Sequence, residues 1–180
     1  MSSELFQKYQ LIGYDIDGTG EKHLAVNIFQ RAKIRDLLRN QYLVFYAYNV
    51  KDGETPEIIA SKLYGASTYH WLVLYANDIV DPYYDWPMSS DNLILTIRKK
   101  YTTPNQEGLL YAYSTIHHYA DVHGNVIDET TFKTLPVAER SQVSVYDWEI
   151  SQNEAKRSIL LLDKKFVDQI DLQMTNIMST

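Results

Sequence analysis

The stretch that most constrains the fold is residues 42–65. Tyr42 to Val50 is a β-branched and aromatic run that stops at Lys51-Asp52-Gly53, which predicts a strand followed by a tight turn. Thr55-Pro56-Glu57 then supplies an N-cap, a proline at the first helical position and an acid in the first turn, so a short helix opens here and Gly65 closes it. Ile58, Ile59 and Leu63 are expected to pack inward. A second short helix is predicted over 68–76, where Trp71, Leu72, Leu74 and Tyr75 leave little polar surface. A helix apolar on most sides has to be covered on most sides.

Around this centre the pattern is looser. Residues 22–39 place Leu24, Ile28, Ala32, Ile34, Leu37 and Leu38 at near-helical spacing among basic residues, which predicts an amphipathic helix. Pro82 and Pro87 bracket Tyr83-Tyr84-Asp85-Trp86 as an extended or turn segment, because proline also restricts the residue before it. Ser89 or Ser90 caps a third helix carrying Leu93, Ile94, Ile97 and Tyr101, with a strand as the alternative, and residues 104–108 read as a hinge between halves. Leu109 to Ala120 and Val126 to Phe132 flank His123-Gly124-Asn125 as a β-hairpin, and a strand over 143–150 leads into the capping-box pattern Ser151-Gln152-Asn153-Glu154. Finally, Asp163 opens a helix with an apolar stripe through Phe166, Ile170, Met174, Ile177 and Met178.

The predicted class is therefore α+β, in three parts. These are an N-terminal arm and amphipathic helix (1–41), a strand-helix-helix module with its Pro-bracketed aromatic extension (42–103), and a β-hairpin and C-terminal helical region (104–180).

Composition narrows the function classes. A chain of 180 residues without cysteine has no disulfide framework, thiolate metal site or cysteine nucleophile. Its net charge of -6 is the wrong sign for holding a nucleic-acid backbone, and no apolar run approaches the ~20 residues that cross a bilayer. The expected partners thus include neither nucleic acid nor membrane. Fifteen tyrosines against five phenylalanines favour half-buried surfaces and interfaces over a dry core.

Signals for catalysis are thin. Asp15-Ile16-Asp17-Gly18-Thr19 resembles the first motif of haloacid-dehalogenase-type phosphatases, in which one Asp attacks phosphorus and the next serves as acid and base. The alternating strand-helix units that such chemistry sits on do not follow, and an Asp/Gly turn is the competing reading. His117 and His118, as neighbours on a strand, are expected to point to opposite faces. No metal, cofactor or catalytic set is expected, and the chain reads as a non-enzyme.

Two family resemblances add to this. Tyr48 to Ala60, Leu63-Tyr64-Gly65, Trp71 and Tyr75-Ala76-Asn77-Asp78-Ile79 resemble the LysM module. That resemblance implies a βαα(β) fold and, as one alternative, a peptidoglycan or chitin groove made by Asp52, Gly53, Glu54, Thr55, Asn77, Asp78 and Ile79. Extended to Asn27-Ile28-Phe29-Gln30-Arg31, to Asp81-Pro82-Tyr83-Tyr84-Asp85-Trp86-Pro87 and to Asn153-Glu154-Ala155-Lys156-Arg157, the chain is similar to the baseplate wedge protein 53 family of contractile-tailed bacteriophages. This implies a structural subunit of the tail baseplate, present in several copies in a sixfold ring, built in the host cytoplasm and carried in the virion. Its partners would be other wedge subunits, held through the LysM-like domain. Tyr83, Tyr84 and Trp86 are the expected interface anchors, with Asp81, Pro82, Phe29 and Arg31 beside them.

Overall fold

The computed structural model describes residues 9–27 and 45–178. In chain order its elements are β1 (Leu11–Tyr14), β2 (His23–Val26), β3 (Phe45–Asn49), α1 (Pro56–Tyr64), α2 (His70–Ala76), the single turn α3 (Pro82–Asp85), α4 (Ser90–Tyr101), α5 (Gly108–Ser114), β4 (Ile116–Asp121), β5 (Val126–Ile127), α6 (Glu129–Thr134), β6 (Arg140–Ser144), α7 (Val145–Ala155), β7 (Ser158–Leu162) and α8 (Val167–Met178). Helix and sheet are mixed, as α+β requires. The contacts gather these elements into two units, each discontinuous in sequence. One takes the described residues up to Asn49 with Glu54–Asp85 and the chain from Ile159 onward; the other takes Val50–Gly53 and Trp86–Ser158.

In the first unit the junction at 51–65 forms as the sequence dictates. The Thr55 side chain accepts a bond from the Ile58 N–H at 3.4 Å, and Gly65 adopts the left-handed conformation at φ 87° that closes α1. The helix buries Pro56, Ile59, Ala60 and Tyr64, whose offsets of three, four and eight residues make one stripe. Ile59 packs inward as expected, whereas Ile58 lies off that stripe and stays 41% exposed and Leu63 is only half-buried. Helix α2 buries Trp71, Leu72, Val73 and Ala76 against a polar exterior that hardly exists, in line with its composition.

The strand beside β3 is β7, which the chain reaches only after the whole of the second unit. The Val50 N–H donates to the Arg157 carbonyl at 2.9 Å, so β3 leaves the ladder where β7 enters it, the arrangement of an antiparallel pair. Strand β7 and helix α8 add Ile159, Leu161, Leu162, Val167, Ile170 and Met174 to the buried apolar residues. The C-terminal stripe thus serves this chain's own core at Ile170 and Met174, and the Tyr64 hydroxyl ties α1 to β7 by donating to the Leu162 carbonyl at 3.1 Å.

The N-terminal hairpin corrects the helix expected at 22–39. His23–Val26 is a strand, antiparallel to Leu11–Tyr14 with Leu11 opposite Val26 and Tyr14 opposite His23. The turn between them decides this, because the Asp15 carboxylate accepts bonds from the Gly18 and Gly20 N–H groups at 2.7 and 2.9 Å and folds the chain back. Residues 28–39 of that expected helix lie outside the described residues.

In the second unit α4, α5 and α7 share one core of Leu93, Ile97, Ala112 and Val145, with Met88, Tyr101, Leu109, Tyr146 and Ile150 against it. Residues 104–107, read above as part of a hinge, instead connect two helices of that core. The hairpin forms as β4 and β5, and β6 pairs on the other edge of β4 to give the order β5-β4-β6. It is shorter than expected, since Leu109–Ser114 is helical, capped by the Glu107 side chain. The strand expected over 143–150 ends at Ser144, whose hydroxyl accepts from the Asp147 N–H at 3.0 Å and starts α7. The later Ser151 to Glu154 pattern is consequently helix interior. Here local capping overrides the β-branched and aromatic content of Val145, Tyr146 and Trp148.

Candidate functional site

The Pro-bracketed aromatics separate into two environments. Helix α3 is one turn, and its own backbone and acids hold it rigid. The Asp81 side chain accepts from the Tyr83 N–H at 3.0 Å, the Asp85 side chain accepts from the Asp81 N–H at 3.1 Å, and the Asp85 N–H donates to the Asp81 carbonyl at 2.8 Å. On this turn Tyr83 is 87% exposed and Tyr84 71%, with Val80 exposed just before them. Asp81 and Pro82 are also at the surface, as N-terminal brace of the turn. Trp86, one residue beyond, is only 7% exposed and Pro87 is buried with it. The tryptophan belongs to the interior of the free chain, and the tyrosines do not. Phe29 and Arg31 lie outside the described residues.

The polar residues of the groove implied by the LysM resemblance are engaged within the chain. Glu54 is buried, and its two oxygens accept from the Tyr48 hydroxyl at 2.8 Å and the Lys62 ammonium at 2.5 Å. Thr55 is the cap of α1. The Asn77 side chain donates to the Val73 and Leu160 carbonyls, both at 2.8 Å, and accepts from the Leu160 N–H at 2.7 Å, replacing a strand partner for β7. Asp78 follows at φ 55°, a left-handed conformation that an Asp tolerates, and Ile79 donates back to the Leu74 carbonyl at 3.0 Å. In the second unit, the Asp52 carboxylate accepts from Arg157 at 3.1 Å and from the Ser90 N–H at 2.9 Å, while Gly53 turns the chain at φ 73°.

Burial, with Glu54 as hydrogen-bond acceptor, pushes the Tyr48 hydroxyl up to about 12. A raised folded value favours the neutral phenol, so its stabilisation is complete below the ordinary value of about 10 and is lost as pH climbs from there through about 12. In an ultraviolet tyrosine titration the wild type is expected to retain one late-ionising tyrosine that Tyr48→Phe lacks. Identical curves for the two proteins contradict this.

The phosphatase-like stretch is a turn. Both oxygens of Asp15 bond to Gly18 and Gly20, and Asp17 accepts from the Thr19 hydroxyl at 2.9 Å, which holds its carboxyl below the usual range. The turn joins two antiparallel strands, whereas the resembled motif ends a parallel strand.

Two residues to which the sequence assigned no contact of their own prove to be structural locks. Asn153 is buried, and its side chain accepts from the Met88 N–H at 2.8 Å and donates to the Met88 carbonyl at 3.0 Å, as a paired backbone would. Arg157 is buried too, reaching the Val50 carbonyl at 3.2 Å, Asp52 at 3.1 Å and Glu154 at 2.7 Å. No spacing rule identifies a side chain that substitutes for a strand or pins a distant turn.

Among the described residues no helix is long and apolar enough to cross a membrane. Residues 4–131 match the family described as base plate wedge protein 53. The chain belongs to the base plate wedge protein 53 family. A relative within reach is the "Baseplate wedge protein gp53" of Enterobacteria phage T4, 22% identical, over 73% of this chain and 72% of that protein. The family match includes α3 and the whole first hairpin. Asn153 and Arg157 of this wedge protein 53 family member fall beyond it.

Proposed function

We propose that this chain is a structural subunit of a bacteriophage tail baseplate wedge and that it joins neighbouring wedge subunits through the aromatic turn α3. The observation that carries the reading is the exposure of Tyr83 and Tyr84 on a turn already fixed by Pro82, Asp81 and Asp85. Tyrosines are among the side chains that dominate interface energies, and rings presented on an ordered backbone lose little entropy when they dock. Family membership supports the baseplate setting. The sixfold copy number, assembly in the host cytoplasm and residence in the virion follow from that setting as part of the proposal.

The succession β3, α1, α2 and the closing strand β7 supports a LysM-like module whose second strand is displaced by a long insertion. In this reading the module acts as a protein clamp. Its groove residues cap, pair and brace their own chain, which favours a partner surface elsewhere on the unit.

Sedimentation velocity of the chain mixed with the wedge subunits of its phage tests the proposal. Because both rings are exposed, Tyr83→Ala with Tyr84→Ala is expected to leave the thermal midpoint within about 2 °C of wild type. The same variant is expected to weaken co-sedimentation at least tenfold. Unchanged affinity in a folded variant overturns the docking role of α3.

A further inference from the structure

Strand β4 holds two adjacent histidines that do not behave as strand neighbours. The register against β6 pairs Ile116 with Ser144 and His118 with Val143, so His117 is the extra residue of a β-bulge. A bulge breaks the alternation of faces, and the two imidazoles come together with Nδ1 to Nδ1 at 2.8 Å. This overturns the expectation that they point to opposite faces. One nitrogen donates and the other accepts, so a single proton is shared between two lone-pair sites.

The pair has a defined setting. The His117 ring stacks on Trp148 of α7 at 4.3 Å and 13° between planes. Beside Trp148, the Glu149 carboxylate accepts from the Lys100 ammonium at 2.6 Å and the Tyr101 hydroxyl at 2.7 Å. His117 is exposed and His118 half-buried, so ions and water reach both rings.

We propose that the Nδ1 atoms of His117 and His118 form a two-ligand site for a divalent transition-metal ion that favours cis nitrogen ligands, nickel(II) or copper(II), with water completing the coordination. The distances select the ion class. Metal to imidazole bonds of ~2.0–2.1 Å spanning the observed separation of 2.8 Å subtend about 86°, close to the right angle of square-planar or octahedral geometry. Tetrahedral zinc at the same bond length separates its nitrogens by about 3.3 Å. For both Nδ1 atoms to ligate, the ring that carries the shared proton gives it up to water and takes one back at Nε2, and the ion then occupies the place between the two bare nitrogens. Among the described residues no cluster of three or more His, Asp or Glu competes as a fuller metal site. The site therefore holds its ion with two protein ligands and exchanges it readily.

Trp148 provides the readout, since a paramagnetic ion against the stacked His117 ring quenches its fluorescence. Tag-free full-length protein titrated with nickel chloride is expected to show saturable quenching with a midpoint in the micromolar range. His117→Ala and His118→Ala each raise that midpoint at least tenfold, His123→Ala leaves it unchanged, and all three retain the wild-type circular dichroism. Trp148→Phe removes the quench while calorimetry still records the binding heat. The absence of saturable binding up to millimolar nickel, or an unchanged midpoint in both His117→Ala and His118→Ala, overturns the site. Should either alanine variant lose its fold, His118→Gln, which keeps a polar side chain of similar reach, is measured in its place, and retained binding there counts against the proposal.

Discussion

Removing residues 158–180 is expected to abolish the fold of the first unit while the sequence most diagnostic of that unit, 42–76, remains intact. The deleted segment carries β7 and α8, and with them six of the buried apolar side chains: Ile159, Leu161, Leu162, Val167, Ile170 and Met174. Truncating one such residue to alanine costs about 2–5 kcal/mol, and whole domains are stable by only about 5–15 kcal/mol. Losing six exceeds what the unit has to spend. The deletion also leaves the hydroxyl of Tyr64 and the side chain of Asn77 without Leu162 and Leu160, and strips β3 of its neighbour. In hydrogen exchange of the α1 and α2 amides followed through thermal unfolding, which separates this unit from the second, the shortened chain is predicted to show no protection and no cooperative transition. A retained sharp transition would mean that β3, α1 and α2 form a self-sufficient module, and the displaced-strand account would be wrong.

Gly108→Ala is the point substitution predicted to cost most. A Cβ there would lie 2.1 Å from the Arg98 carbonyl oxygen, 2.6 Å from the Thr102 nitrogen and 2.8 Å from the Thr102 hydroxyl. Two of these are backbone atoms of the last turn of α4 and the residue that caps it, so no side-chain rotation relieves the clash. The same close approach lets the Gly108 N–H donate to the Thr102 hydroxyl at 3.0 Å, which itself donates to the Arg98 carbonyl at 2.7 Å. Separating α4 from α5 disturbs the contact of Leu93 and Ile97 with Ala112. The expected loss is about 3 kcal/mol or more, or a fall of about 6–12 °C in the thermal midpoint for a chain of this size. A midpoint within about 2 °C of wild type would show that the two helices slide apart without penalty.

These two predictions mark where the sequence is and is not readable. The junction at 51–65 was legible because each signal in it is local: a turn glycine, a capping threonine, an N1 proline and a closing glycine act within a few residues. The burial of α2 was legible from its nearly all-apolar composition and the apolar stripe through Ile170 and Met174 from periodicity, although whether that stripe faces this chain's core or another subunit was not. The partner of β3 was not. Nothing in Ser158 to Leu162 names a strand more than a hundred residues earlier, and pairing at that separation is decided by tertiary packing. Aromatic and β-branched residues misled twice, at Leu109 to Ser114 and Val145 to Ile150, where the Glu107 and Ser144 caps and a shared core impose helices. The bulge that joins His117 to His118 shows the same limit, since one unpaired residue reverses the facing that alternation predicts.

For the proposed site, sequence singled out the segment without resolving its parts. Pro82 and Pro87 marked Tyr83 to Trp86 as special, but only the fold divides them into two exposed tyrosines and one buried tryptophan. The excess of tyrosine divides in the same way. Tyr101 stacks on Tyr111 at 5.7 Å and Tyr113 meets Tyr146 at 4.2 Å, so part of it braces the helices of the second unit. Tyr83 and Tyr84 are the most exposed of the large hydrophobic side chains on α3, at 87% and 71%.

Hydrogen exchange of the amides from Val80 to Trp86, compared between the free chain and the assembled wedge, tests the docking role of α3 most directly. The account predicts that the Tyr83 and Tyr84 amides, which donate to Asp81 in the free chain, exchange at least tenfold more slowly after assembly. Unchanged exchange across this turn, with new protection confined to other segments, would contradict it.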